Sequence, residues 1–350
     1  MANPEVLSFF VSRVSSWFKL NGRPLPWRLN PTPYHIWLAE IIFQQTRIGQ
    51  GMDYYTSFIA RYPDIESLSK AEEDEVLRLW QGLGYYTRAI NLLKTARIIA
   101  SEGGMFPSDV ETLKKLPGIG PYTAGAISSI AFGRKEPLVD GNVQRVFSRF
   151  FGLKIPVNDP KSQKILYRMA GEIIRMAEDA SAHNQGLMDL GSTICKPLKP
   201  LCERCPLHEA CIACVEGNVD LYPVKIKKNK KMDRFIIFGY CTDEGRIAIQ
   251  KRDRSDIWKN LYQLPLLADS FNSTTIEQYA FKKSLLFSIY NTTHQLSHQK
   301  LHIGIYPVEE DFLISNKVNY TFIDFSMVQE IAFPVPLMKF LSSIPKSKSF

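Results

Sequence analysis

Two acidic side chains sit in settings suited to moving protons and charge. Glu40 lies among Trp37, Leu38, Ile41, Ile42 and Phe43 in the run YHIWLAEIIFQQTR. A carboxyl with apolar neighbours resists ionisation, because burial penalises the charged form. It can then hold a proton near neutrality and deliver it as a general acid. The ordinary alternative is a glutamate on the wet face of a helix. Asp140 opens the run DGNVQRVF, with Val143, Val146, Phe147 and Phe150 at helical spacing behind it. Capping alone accounts for an aspartate there. A cap and a chemical role are compatible, since helix amides can keep a carboxylate ionised as a fixed negative charge.

Five of the six cysteines fall between residues 195 and 214. They read Cys195-x6-Cys202-x2-Cys205-x5-Cys211, with Cys214 adding a further C-x2-C. Four thiolates hold zinc or an iron–sulfur cluster, and on residue types alone both stay open. A dense local group of this kind suits a reducing cytoplasm better than a disulfide framework.

The elements that must position these groups are helical in the first half. Apolar spacing and turn residues predict helices over 35–49, 71–81, 87–102, 121–132, 142–152, 162–178 and 182–194, after an amphipathic N-terminal helix. Leu116-Pro117-Gly118-Ile119-Gly120 is a tight turn between two of them, where Gly118 and Gly120 permit positive φ and close backbone approach. Helix amides after such a turn suit a phosphate, and Lys114 and Lys115 add charge, although a solvated face accounts for both lysines. Gly82-Leu83-Gly84-Tyr85-Tyr86 is a loop able to press an aromatic ring against a base stack; the bland reading is a tyrosine in the core. The segment YPVKIKKNKKM, 222–232, reads as a solvated basic linker. Beyond it the period shortens. Strands are expected at 234–240, 246–251, 299–308 and 319–325, with helices at 274–287 and 335–343. The net charge of +8 fits a polyanionic partner without establishing one. No apolar run is long enough to span a membrane.

These motifs together resemble the MutY family of adenine DNA glycosylases, within the helix-hairpin-helix glycosylase superfamily. The resemblance rests on LPGIG, the DGN cap, the WLAEIIFQQT run, the GLGYY loop and the 6-2-5 cysteine spacing. It implies a multidomain fold: an all-α helix-hairpin-helix core with a 4Fe–4S loop, then an α+β Nudix (MutT)-like domain. The catalytic domain would span 1–221, with a six-helix module about 28–134 and the cluster loop at 195–211. The linker would be 222–232 and the recognition domain 233–350.

The resemblance also assigns roles. Glu40 would protonate the adenine ring and Asp140 would stabilise the sugar cation. Tyr122 would support Asp140 through its hydroxyl, and Asn142 would arrange water and carboxylates. Trp27, Arg28 and Gln185 would line the adenine pocket, where a buried anchor, a surface charge and a surface amide are the plain alternatives. Gln45 and Tyr85 would probe the stack beside 8-oxoguanine, and Ser297 and His298, in the run HQLSHQK, would inspect it. Gly118 and Gly120 would meet phosphate. Cys195, Cys202, Cys205 and Cys211 would hold one 4Fe–4S cluster, leaving Cys214 and Cys241 as ordinary thiols. Lys196, Lys199 and Arg204 would face the backbone.

The implied partner is double-stranded DNA carrying 8-oxoguanine opposite adenine, bound by a monomer in the bacterial cytoplasm, with no membrane. Relatives that cleave the strand carry a lysine where Tyr122 stands, or four residues past the aspartate, where Gln144 stands. Base removal without efficient strand cleavage is therefore expected. Residues 234–350 lack the carboxylate-rich Nudix signature, so no pyrophosphatase activity is expected. The rival readings are an endonuclease III-like pyrimidine-lesion glycosylase with lyase activity, and a non-catalytic DNA-binding iron–sulfur protein.

Overall fold

The computed structural model describes residues 3–226, 231–253, 256–285 and 287–344. Lys227, Lys228, Asn229 and Lys230, the middle of the basic segment, lie outside these. Contacts divide the chain into two compact units, Met1–Lys70 with Lys94–Lys228, and Ala71–Leu93 with Asn229–Phe350. Among the described residues no helix is long and apolar enough to cross a membrane.

The first unit is helical. Its Pro4–Asn21 helix is capped by Asn3, whose side chain accepts from the Glu5 amide, and buries Phe10, Val11 and Val14. Phe10 packs against Phe147 and Phe150 at ring separations of 5.7 and 4.8 Å. Leu138, Val139, Val143, Val146, Ile173 and Leu190 complete that core. Thr32 caps the Pro33–Ile42 helix, and Pro33 stands where a missing amide costs nothing.

The single helix expected over 35–49 does not form. It stops at Ile42, and a second helix, Ile48–Arg61, begins after a turn. Gln45 takes φ 56° in that turn, which no regular helix accommodates. The new helix is packed back on the old: a Cβ at Gly51 would come within 2.7 Å of the Phe43 ring. Helices Pro121–Phe132, Gly141–Phe150, Pro160–Met176 and Ala180–Thr193 follow the expected pattern to within two residues at each end. The first of them ends on Gly133 in the left-handed region.

Two close approaches fix how these helices meet. A Cβ at Gly125 would stand 2.6 Å from the Pro137 carbonyl oxygen, on the segment that leads into Asp140. A Cβ at Gly191 would stand 2.5 Å from the Asn142 Cβ. The Ala180–Thr193 and Gly141–Phe150 helices therefore touch backbone to side chain. The basic segment is not wholly solvated: Val224 accepts from the Val157 amide, Ile226 bonds Asn158 in both directions, and Tyr222 is buried.

The second unit is α+β. Its strands are β1 (Met232–Tyr240), β2 (Thr242–Asp243), β3 (Arg246–Lys251), β4 (Tyr262–Gln263), β5 (Leu266–Ser270), β6 (Tyr290–Gln295), β7 (Gln299–Pro307) and β8 (Thr321–Asp324). One sheet has the order β5-β1-β7-β6, with β1 and β7 parallel and the other pairs antiparallel. The other joins β2, β3 and β4, with β8 added to β3. Ile237, Cys241, Ala248, Leu267 and Leu313 form a core against partly buried residues of the Ser273–Lys282 helix. Arg234 and Arg252 are buried and neutralised by Asp256 and Asp269.

β6 takes in the start of the HQLSHQK run. His294 and Gln295 pair with Leu301 and Lys300, so only Leu296, Ser297 and His298 turn. β6 also lacks the expected signal, because it is the edge strand and neither of its faces is fully buried.

Gly191→Ala is expected to lower stability by roughly 1–3 kcal/mol by overpacking against Asn142. Gly49→Ala, where nothing lies within 4 Å, should leave it unchanged or raise it. Urea unfolding of the two variants checks both.

Candidate active site

Glu40 sits two residues before the end of the Pro33–Ile42 helix, half-buried in the first unit. Burial pushes its pKa up to about 7, and the charge of Asp140 pushes the same way. A hydrogen bond with Tyr122 and the positive charge of Arg28 pull it back. Near neutrality the group is thus poised between acid and anion. Holding it so costs stability. The folded pKa lies above the ordinary 4.5, so the fold binds a proton the unfolded chain releases, and stability falls as pH rises from about 4.5 through about 7.

Tyr122 is the second residue of the Pro121–Phe132 helix. Burial, Glu40 and Asp140 all raise its pKa, so its hydroxyl keeps its proton as a donor. The hydroxyl hydrogen-bonds Glu40 and lies 3.3 Å from Met188 Sδ. The charges of both Glu40 and Asp140 act on it.

Asp140 is the N-cap of the Gly141–Phe150 helix, as its sequence setting implies. One carboxylate oxygen accepts from the Asn142 and Val143 amides at 2.9 and 2.7 Å, and the other from Asn142 Nδ2 at 2.7 Å. Burial nevertheless raises its pKa, against the pull of those bonds and of Arg145. The charge is therefore less firmly fixed than a helix cap alone implies. Asn142 in turn accepts from Arg145 at 2.9 Å.

Arg145, 7% exposed, also donates to the carbonyls of Gly191 and Cys195 at 2.5 and 2.6 Å. One guanidinium thus ties the Asp140 cap to the start of the cysteine loop. Nothing in the sequence singled it out.

Arg28 is not a surface charge. Its guanidinium grips Asp189 through two bonds of 2.7 and 3.0 Å and lies over the Phe18 ring. Its Nε is buried without a partner, a donor that a ligand could satisfy. Asp189 also binds Arg23, and both arginines hold it below the usual carboxylate range. Trp27 is buried, 4.7 Å from the Phe43 ring and edge-on to Tyr55. Gln185 lies one helical turn before Asp189, 8% exposed, with its amide nitrogen donating to Ser181 at 3.0 Å. It is not a surface amide.

The two adjacent glutamines divide. Gln44 turns inward and donates to Thr123 Oγ1 at 3.0 Å, while Gln45 is exposed. In the 116–120 turn only Gly118 is left-handed, at φ 78°. Gly120 is extended and caps the Pro121–Phe132 helix, and no atom lies within 4 Å of the Cβ it lacks, so the backbone there is open to approach. Lys114 pairs with Glu111 on a solvated face.

Cys195, Cys202, Cys205, Cys211 and Cys214 line one cavity with Arg149 and His208. Burial pushes the Cys205 and Cys211 thiols up to about 12 and about 11, and the neighbouring sulfurs add to both shifts. Arg149, 2% exposed, donates to the carbonyls of Lys196 and Pro197 and lies 3.4 Å from Cys195 Sγ. Cys214, read as an ordinary thiol, shares the cavity and hydrogen-bonds Cys202.

Tyr85, Ser297 and His298 belong to the second unit. Tyr85 is 47% exposed at φ 50°, after Gly82 and Gly84 with φ 101° and 74°. The Gly84 carbonyl accepts from both Trp80 Nε1 and Arg88, each at 3.1 Å. The Arg88 guanidinium lies 5.0 Å from the Trp80 ring and 5.7 Å from the Tyr85 ring. The strained peptide before Tyr85 is thereby clamped, and its ring is presented to solvent. Ser297 and His298 are exposed at the β6–β7 turn, with Ser297 Oγ 3.2 Å from His298 Nδ1. Lys231 donates to the Leu296 carbonyl at 2.6 Å beside them.

Residues 38–185 match the HhH-GPD superfamily of base excision DNA repair proteins, and residues 237–343 match the NUDIX domain. An adenine DNA glycosylase of Buchnera aphidicola subsp. Acyrthosiphon pisum is 35% identical over 97% of this chain and 98% of its own. The adenine DNA glycosylase of Homo sapiens is 39% identical over 60% of this chain and 40% of its own. Among solved structures, a thermostable thymine-DNA glycosylase aligns with TM-score 0.55 and 31% identity, over 61% of this chain and 98% of that one. A non-covalent endonuclease III–DNA complex shares the fold, at TM-score 0.52 and 22% identity over 62% of this chain and 99% of that one. With near-complete coverage of a relative at that identity, and with the helical core and Nudix-like domain both in place, the chain belongs to the adenine DNA glycosylase (MutY) family.

Proposed function

We propose that the chain removes adenine mispaired with 8-oxoguanine, and with guanine, from double-stranded DNA by hydrolysing the N-glycosidic bond, acting as a monomer in base excision repair. The observation that carries the reading is Glu40, poised near pH 7 beside the hydrogen-bonded carboxylate of Asp140. The bonds to Asp140 favour its ionised form, so the proton held by the pair resides on Glu40. Glu40 passes it to the extruded adenine ring. The bond from sugar carbon to base then breaks, with its electron pair leaving on the neutral purine. Asp140 faces the positive charge left on the deoxyribose, as in glycoside hydrolysis. Water adds to that carbon and its proton returns to a carboxylate. Asn142 fixes Asp140, Tyr122 orients Glu40, and Arg28, Trp27 and Gln185 receive the base.

Phosphate contacts at Gly118, Gly120 and the following amides position the duplex without reading sequence. Gln45 and Tyr85, both left-handed and exposed, suit insertion beside the oxidised base. Ser297 and His298 supply donors and acceptors for its edge. The site offers no amine at position 122 or 144, which favours hydrolysis over lyase chemistry.

The cysteine cavity fits a 4Fe–4S cluster in its donor set. Cys195, Cys202, Cys205 and Cys211 would hold it. The 6-2-5 spacing of these four cysteines, shared with the family, favours a cluster over zinc. When bound, the cluster would cross-link the loop that Arg145 and Arg149 join to the Asp140 helix. No step of base removal passes through it.

Glu40→Gln is expected to lower adenine release by at least roughly 100-fold while leaving duplex affinity intact, as read by single-turnover cleavage after alkali and by gel shift. Replacing Ser297 and His298 together by Ala should reduce the preference for adenine opposite 8-oxoguanine over adenine opposite guanine. The same assay on both duplexes reads that ratio, and an unchanged ratio removes the turn from damage recognition.

A further inference from the structure

The Tyr85 turn groups with the C-terminal half of the chain. It lies within Ala71–Leu93, which packs with Asn229–Phe350. That segment begins with Glu72-Glu73-Asp74-Glu75, four consecutive carboxylates at and inside the start of the Glu73–Leu79 helix. Acids favour a helix start, and a solvated acidic face needs no partner. Here two of the four are committed to one surface. Asp74 Oδ1 accepts from Lys251 Nζ at 2.7 Å, and Asp74 Oδ2 lies 3.4 Å from the Tyr262 hydroxyl. Glu73 Oε1 accepts from Asn260 Nδ2 at 2.7 Å.

Lys251, Asn260 and Tyr262 come from the end of β3, the following turn and β4. The turn is held in a strained form, with Trp258 and Asn260 both left-handed at φ 60° and 65°. The Asn260 amide is aimed at Glu73 by that backbone, and Lys251 is braced over the Tyr262 ring at 5.2 Å. At the other end of the helix Arg78 pairs with Glu330. Immediately beyond, buried Trp80 takes hold of the Gly84 carbonyl that precedes Tyr85. A continuous line of contacts therefore runs from β3 and β4, through an acidic helix, to the Tyr85 turn.

We propose that Asp74 and Glu73 are positioning residues for recognition of the base opposite adenine: they lock the Tyr85 turn to the body that carries Ser297 and His298. The two elements, more than 200 residues apart in sequence, then meet the oxidised base as one rigid reader. Neither acid touches DNA. The inference rests on the reading of Tyr85, Ser297 and His298 given above, and goes beyond it by naming what joins them.

The test is a charge exchange. Full-length Asp74→Lys, Lys251→Asp and the double exchange are compared with the parent in single-turnover adenine release opposite 8-oxoguanine and opposite guanine, with thermal melting alongside. Asp74→Asn, which keeps the size of the side chain, is read beside them. Each single reversal is expected to lower the ratio of the two rates by roughly five-fold, the scale of an exposed ion pair. Release opposite guanine changes by less than about two-fold, because the reacting groups are untouched, and the double exchange recovers most of the ratio. A merely structural role would lower both rates together with the melting temperature. An unchanged ratio in the single variants, or a loss the exchange does not repair, overturns the inference and leaves the reading of the site standing. A parent enzyme with no preference between the duplexes overturns that reading and the inference with it.

Discussion

Burial of two carboxylates in one partly dehydrated site is the constraint on which the remaining structure depends. Glu40 and Asp140 lie 100 residues apart in the chain; burial raises the pKa of both, and the charge of Asp140 adds to the shift at Glu40. Left alone, both would tend to protonate, and neither would serve as an anion. Their surroundings break the symmetry. Asp140 receives three hydrogen bonds from its own helix start and its Asn142 neighbour, all of which favour charge. Glu40 receives one, from Tyr122, with the charge of Arg28 close by. The difference in donors assigns the proton to one side.

Keeping that difference requires the backbone under Asp140 to stay where it is. Two missing side chains allow it. Gly125 lets the Pro137 carbonyl lie against the hairpin-side helix, and Gly191 lets Asn142 sit against the Ala180–Thr193 helix. Arg145 then joins Asn142, Gly191 and Cys195, and Arg149 continues to Lys196 and Pro197. The cysteine loop is thereby fastened to the helix that carries the anion by two buried guanidinium groups. Asp189 does the same for the other side by holding Arg28 within electrostatic reach of Glu40.

Local chemistry was legible in the chain and long-range pairing was not. The Asp140 cap, the start of the Pro121 helix and the apolar setting of Glu40 follow from residues within a few positions of each other. The break after Ile42 does not, because Gln45 reaches a left-handed conformation that no local pattern demands. Gly120 looked like a residue needing positive φ and is extended; its openness is what it offers. The ion pair of Arg28 was not legible because its partner, Asp189, lies 161 residues away in the middle of a helix. The grouping of Ala71–Leu93 with the C-terminal half was hidden for the same reason: an acidic helix start looks solvated until Lys251 and Asn260 are placed against it. The strand Tyr290–Gln295 was missed because an edge strand with two half-wet faces carries no apolar alternation.

Where the proton resides during base removal decides whether Glu40 is the acid. The pH dependence of single-turnover adenine release reads it, with chemistry isolated from product dissociation. A general acid at Glu40 predicts that the rate falls as pH rises above about 7, approaching tenfold per pH unit. A rate that stays level from pH 6 to pH 9, on intact and fully bound duplex, would contradict it.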